Sequence, residues 1–356
     1  MKKHNYSAGP CILPQEVLHQ ASQAVLDWNG MGLSLLEVSH RSDEFVDVME
    51  GARALALELL GLENQGYQAL FLAGGASMEF LRVPLNLMRT AGKGAYLDTG
   101  TWASAAIKEA STVGETLVVA SSKDRNYSYI PKNYQVPNDA DYFHCTSNNT
   151  IFGTQLKQFP EVDIPLVSDM SSDIFSRQLD FSKFGLIYAG AQKNMGPAGV
   201  ALIVVREDLL GKSGRKIPSI LDYQQHIAKD SMYNTPPVFA VYTSFLTMQW
   251  LKNKGGIAAI EKVNEAKAKL LYDEIDRNPL FHGTAAYEDR SLMNVTFVLQ
   301  NSKMTEKFDQ LWVDAGINGL HGHRSVGGYR ASLYNALPLE SVHVLVDVMK
   351  ELERIS

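Results

Sequence analysis

Lys193 stands between two apolar runs, Leu186–Ala189 and Val200–Val205, in the stretch LIYAGAQKNMGPAGVALIVV. A primary amine at the join of two buried strands needs a chemical reason. An ordinary lysine, with a pKa of about 10.4, is protonated and a poor nucleophile at neutral pH. Asp169 closes the preceding apolar run, Pro165–Ser168, in PLVSDMSS. A carboxylate there must find a cation or a donor, because burying it unpaired is costly. Taken alone, Asp169 could be a helix cap or a metal ligand, and with Lys193 it could form a plain ion pair.

A third signal lies in FLAGGASMEF, where Gly74, Gly75, Ala76 and Ser77 sit between a strand and a helix. Small residues let the backbone approach an anion, and a helix start offers free N–H groups and a positive dipole end. On its own the stretch reads as a tight strand-to-helix turn, and it is not the G-x-G-x-x-G of dinucleotide sites. The three signals agree on one ligand, pyridoxal phosphate. Lysine would form an imine with the cofactor aldehyde, aspartate would keep the pyridine nitrogen protonated, and the glycine turn would take the phosphate. HGHR places His321 and His323 at a metal-like spacing, but with no acid or cysteine close by. Beside Arg324 and Arg330 the cluster suits an anion better than a metal, and a solvated basic loop is an equal reading. LLGKSG has Arg206 where a phosphate loop needs glycine, so no such loop is expected.

The elements that must position these groups follow from periodicity. Pro14 opens a helix with Val17, Leu18, Ala21, Ala24, Val25 and Trp28 on one face, closed by Gly30. A second helix follows Ser42 and stops at Gly61. Short apolar runs then alternate with helical or loop segments: Ala69–Leu72, Leu117–Ala120, Tyr142–Cys145, Pro165–Ser168 and the two around Lys193. Such alternation predicts a mainly parallel sheet covered on both faces, with ligands at the carboxyl ends of its strands. Long helices are expected over 236–250 and 257–275, separated by Lys254-Gly255-Gly256. Strands at 293–299 and 329–333 and helices from about Thr305 and Leu339 complete a smaller α+β unit. The division expected is an arm over 1–15, a large α/β domain over 16–255 and a small domain over 256–356.

The chain has 356 residues, 45% hydrophobic and 20% charged, with a formal net charge of -6. That balance provides no basic field for nucleic acid. No apolar stretch approaches the roughly 20 residues that span a bilayer. The start carries no secretory h-region, and two cysteines, Cys11 and Cys145, provide no disulfide framework. A cytoplasmic protein is expected.

The motifs YSAGPCILP, DWNGMGLSLLEVSHRS, IYAGAQKNMGPAGVALIVVREDLLG, PSILDY, MYNTPPVFA and GHRSVGGYRASLYNA occur in that order from residue 6 to residue 336. Together they resemble the phosphoserine aminotransferases. The resemblance implies a fold type I pyridoxal-phosphate transferase with a large, mainly parallel seven-stranded sheet domain and a smaller C-terminal α+β domain. It implies a homodimer with shared active sites. The reaction implied is amino transfer between glutamate and 3-phosphohydroxypyruvate, with phosphohydroxythreonine formation in vitamin B6 synthesis as a further family activity. By resemblance Lys193 and Asp169 are catalytic, and Ala76, Ser77, Trp102, Thr150, Gln192, Asn234 and Thr235 hold the cofactor, the last two from the neighbouring subunit. His40, Arg41, His323 and Arg324 resemble the pocket for the substrate phosphate, and Arg330 the arginine on the α-carboxylate. No metal is implied. Ser77 stands where some relatives have arginine, and Ala8 where some have a second serine.

Rival readings are an alanine or serine–glyoxylate type aminotransferase of the same fold, and a non-catalytic cofactor-binding regulator. A cysteine desulfurase would need a mobile nucleophilic cysteine, which neither Cys11 nor Cys145 resembles in its context.

Overall fold

The computed structural model describes residues 3–356, so the first two residues of the expected arm lie outside it. Its centre is a seven-stranded sheet with the strands in the order 67–73, 200–206, 184–190, 166–169, 142–146, 93–98, 115–121. Strand Val200–Arg206 runs antiparallel to both of its neighbours, and the remaining pairs are parallel. Six carboxyl ends therefore share one edge with the start of 200–206, since Val200 pairs with Ala73 and Ala201 with Gly190.

That register accounts for Lys193. The chain leaves Gly190 at this edge and turns back as 200–206, so the intervening segment stays where open α/β sheets bind ligands. Strand Phe184–Gly190 is buried throughout, as continuous apolar runs in a doubly covered sheet should be. The six apolar runs read from the sequence all become strands. The seventh, Lys93–Asp98, was not read from periodicity, because its apolar core is only Ala95–Leu97 between a lysine-glycine pair and an acid.

Helix Asp43–Leu60 buries Phe45, Val48, Met49, Ala52 and Leu55, and Gly61 closes it with φ 65°. The N–H of Leu62 returns to the Leu57 carbonyl, satisfying the helix end as left-handed glycine caps do. The first helix, Gln15–Leu26, stops short of the expected Gly30. Asp27 turns extended there and its Oδ1 accepts from the N–H of Gly32 at 2.9 Å, so a side chain takes over the turn while Trp28 still reaches the core.

Beyond the helices Val238–Asn253 and Gly256–Arg277, a second core forms around a three-stranded antiparallel sheet, 281–283, 294–299 and 329–332. Phe281, Phe297, Phe308 and Tyr329 interlock there edge to face or stacked. The N-terminal arm joins this second core through Tyr6 and Ile12, and His4–Asn5 pairs with Ile317–Asn318. Arm and C-terminal elements are thus held together although they lie at opposite ends of the sequence.

Candidate active site

Four strand ends build the site. Strand Leu166–Asp169 delivers the Asp169 carboxylate, which is buried. Its Oδ1 accepts from the N–H of Ser171 at 2.9 Å and from the Ser171 hydroxyl at 2.6 Å, while Oδ2 takes no hydrogen bond from the described residues. Burial pushes this carboxyl above its ordinary range, opposed by the Lys193 charge and by Ser171. Ser171 was missed from the sequence. Its signal was present in SDMSS, where a serine two residues after an aspartate can return its N–H to the carboxylate. Ser171 also accepts from the N–H of Gly190, joining the end of the aspartate strand to the end of the lysine strand.

Lys193 projects from the short helix Ala191–Asn194 that follows Gly190. Its Nζ donates to Thr150 Oγ1 at 2.9 Å and lies 5.5 Å from the Trp102 ring centre. Desolvation pushes this amine down to about 8, with Arg330 acting in the same direction and Asp169 against it. A Cβ on Gly9 would lie 3.3 Å from Lys193 Cγ, so the arm closes directly over the lysine stem.

Gly74, with φ 113°, and Gly75, with φ 62°, turn the end of strand Tyr67–Ala73 into helix Gly75–Leu87. Left-handed backbone at two successive positions favours glycine. Ala76 and Ser77 occupy the first turn of that helix. Gly74 to Ser77, Trp102, Asp169, Ser171, Gln192 and Lys193 line one cavity of about 300 Å³.

Thr150 is buried just outside that lining, and its carbonyl accepts from an Arg330 Nη1 at 3.4 Å. His323 lies near enough to Arg330 and Arg324 for their charges, after desolvation, to hold its pKa below the usual value. Its Nδ1 is paired with the Ser325 hydroxyl at 2.7 Å. Other expected residues stay apart within one chain. Asn234 and Thr235 are exposed, and Asn234 borders a different hollow on the far side of Gly74. Arg41 is exposed, and His40, half-buried, keeps Nε2 without a partner.

The donor set fits pyridoxal phosphate: a lysine amine, a buried carboxylate oxygen with no donor, an aromatic ring and a glycine-led helix start around one cavity. The cysteines do not compete for the chemistry. Burial pushes both thiols up to about 12, far from the thiolate that a nucleophile needs.

The class-V aminotransferase family matches residues 4–345. A phosphoserine aminotransferase of Flavobacterium psychrophilum is 74% identical over 353 residues, covering 99% of both chains. The chain belongs to the phosphoserine aminotransferase family. Among solved phosphoserine aminotransferases, that of Bacillus circulans subsp. alkalophilus superposes with a TM-score of 0.96 at 43% identity over 99% of each chain. The phosphoserine aminotransferase of Trichomonas vaginalis, solved with pyridoxal phosphate bound, superposes with a TM-score of 0.93 at 36% identity, over 98% of this chain and 100% of that one. The fold is therefore that of the type I pyridoxal-phosphate aminotransferases, with a mostly parallel central sheet.

Proposed function

We infer that this chain binds pyridoxal 5'-phosphate and transfers an amino group between glutamate and 3-phosphohydroxypyruvate, giving O-phosphoserine and 2-oxoglutarate. The observation that carries the reading is the pairing of Lys193 and Asp169 on one cavity at the carboxyl edge of the sheet. When bound, the cofactor supplies an aldehyde carbon for imine formation and a protonated ring that withdraws electrons.

The protein's own groups do the rest. Asp169 Oδ2 holds the proton on the ring nitrogen, with Ser171 fixing the other oxygen. The N–H groups opening helix Gly75–Leu87, with Ser77 and Gln192, bind the cofactor phosphate, and Asn234 and Thr235 of a second copy reach it from across a dimer interface. Trp102, on the wall of the same cavity, would help hold the ring. Lys193, once free, moves a proton to and from the substrate α-carbon as general base and acid. An amine pushed down to about 8 is suited to that exchange near neutral pH. Arg330 grips the α-carboxylate, and its bond to the Thr150 carbonyl ties it to the same residue that orients Lys193. His40, Arg41, His323 and Arg324 receive the substrate phosphate.

This reading makes the working unit a homodimer, in keeping with exposed Asn234 and Thr235. A cytoplasmic setting is supported by the free thiols of Cys11 and Cys145. No helix among the described residues is long and apolar enough to cross a membrane. Borohydride reduction of the loaded protein tests the assignment: peptide mapping should place the pyridoxyl label on Lys193, and glutamate should bleach the loaded protein's visible absorbance. A label on another lysine ends the reading.

A further inference from the structure

Three consecutive carbonyls of the segment that follows Asp169 are each held by an asparagine carboxamide from a different element. Ile174 O accepts from Asn194 Nδ2, Phe175 O from Asn335 Nδ2 at 3.0 Å, and Ser176 O from Asn264 Nδ2 at 3.0 Å. Asn194 adjoins Lys193. Asn335 lies just beyond strand Tyr329–Ser332, which carries Arg330, and Asn264 is on helix Gly256–Arg277. The asparagines also bond one another: Asn335 N–H donates to Asn194 Oδ1 at 2.9 Å, and Asn264 Nδ2 to Asn335 Oδ1 at 2.8 Å. All three are buried, and buried amides are costly to leave unpaired.

The surroundings lock this ladder further. Lys267, one turn after Asn264 and fully buried, donates to the carbonyls of Leu333 and Tyr334 at 2.8 Å and of Leu337 at 3.1 Å, so it clamps the turn that presents Asn335. The Tyr334 hydroxyl donates to the Ala8 carbonyl at 2.7 Å, next to the Gly9 that packs on Lys193. Phe175 has φ 59°, a left-handed conformation uncommon for a bulky residue, and its carbonyl is the middle rung.

We propose that the ladder Asn194–Asn335–Asn264 is a positioning device that sets Lys193 relative to Asp169 and to the substrate arm Arg330. The proposal rests on the reading of Lys193 as the cofactor-bearing residue. The three asparagines are positioning residues, none of them on the lining of the Lys193 cavity. Every rung is made, although Asn264 Oδ1 takes no hydrogen bond; a buried network of this kind fixes one arrangement, and losing one rung frees its neighbours.

The test uses Asn194→Ala, with Asn335→Ala and Asn264→Ala beside it. In the loaded enzyme, kcat for the glutamate half-reaction should fall at least about tenfold while KM stays within about threefold, because positioning is lost and binding is not. In cofactor-free protein, competitive acetylation mapped at Lys193 should show its midpoint rising by at least about half a pH unit, since a loosened amine regains solvent. Asn194→Ala combined with Asn335→Ala should cost less than the sum of the two. Folded variants with a lower melting temperature, near-normal kcat and an unmoved Lys193 midpoint would overturn the proposal. If Asn194→Ala does not fold, the same readouts on the other two variants decide. Absence of a pyridoxyl label on Lys193 in the unaltered enzyme would instead sink the underlying reading.

Discussion

Lys193 and Arg330 are linked through a single residue: Thr150 accepts from the Lys193 amine at its hydroxyl and from the Arg330 guanidinium at its carbonyl. One residue thus spaces the amine proposed to carry the cofactor from the guanidinium proposed to hold the substrate carboxylate. The two charges oppose each other, and that opposition helps keep Lys193 below its ordinary pKa.

The first prediction concerns that amine. In cofactor-free protein, Lys193 should be acetylated with a midpoint near pH 8. Arg330→Met removes a neighbouring positive charge and should raise the midpoint, whereas Asp169→Asn removes a negative one and should lower it. Movement in the opposite senses would refute the electrostatics assigned to the site.

A stability consequence follows from the same group. Lys193 keeps its proton only up to about 8 when folded but up to 10.5 in the ordinary chain, so between those values the unfolded state binds more protons. Stability contributed by this residue is therefore depressed below pH 8 and recovers as pH rises toward 10.5. Denaturant titrations should show wild type gaining on Lys193→Met across that window and running parallel to it at lower pH. A gap that widens with alkalinity would contradict the assignment.

Asp169→Ala should keep the fold but lose most activity. Removing a preorganised electrostatic partner of the reacting group typically costs about two to three orders of magnitude in kcat. Loaded Asp169→Ala that turns over glutamate at a near-normal rate would show that the ring nitrogen needs no anion here.

Much of this site was legible because its residues interrupt strong patterns. Lys193 breaks two apolar runs, Asp169 ends one, and Gly74-Gly75 break a strand from a helix. Strand Lys93–Asp98 escaped because three apolar residues carry too little periodicity. The asparagine ladder escaped for a different reason. Asn194, Asn264 and Asn335 lie about 70 residues apart, far beyond any helical or strand period, and each reads as an ordinary polar residue until folding brings their carboxamides to adjacent carbonyls. The roles of His40, Arg41, Asn234 and Thr235 came through resemblance alone, and within one chain these residues stay outside the Lys193 cavity.

That separation leads to a complementation prediction. Lys193→Ala should be inactive, and a double variant, Asn234→Ala with Thr235→Ala, strongly impaired. In mixed dimers the lesions should fall together in one site and leave the other whole, so up to about half the activity per heterodimer should return, as closed two-fold symmetry requires. Verified heterodimers that stay inactive would argue for sites built within one chain.

Substrate choice should rest on the phosphate more than on the keto acid. His40, Arg41, His323 and Arg324 are cationic or potentially cationic groups beyond Arg330, the one arginine a carboxylate requires. A substrate without its phosphate leaves these groups with no counter-charge, and sites built around a polar partner strongly reject analogues that lack it. Phosphoserine should therefore exceed serine by at least about two orders of magnitude in kcat/KM, roughly 3 kcal/mol. Arg41→Ala should narrow that gap far more than it slows the glutamate half-reaction. Ser77 limits the size of the effect, because an arginine at the start of helix Gly75–Leu87 would add one more contact. Equal kcat/KM for serine and phosphoserine would leave a general small-amino-acid aminotransferase in place of the phosphate-selective one.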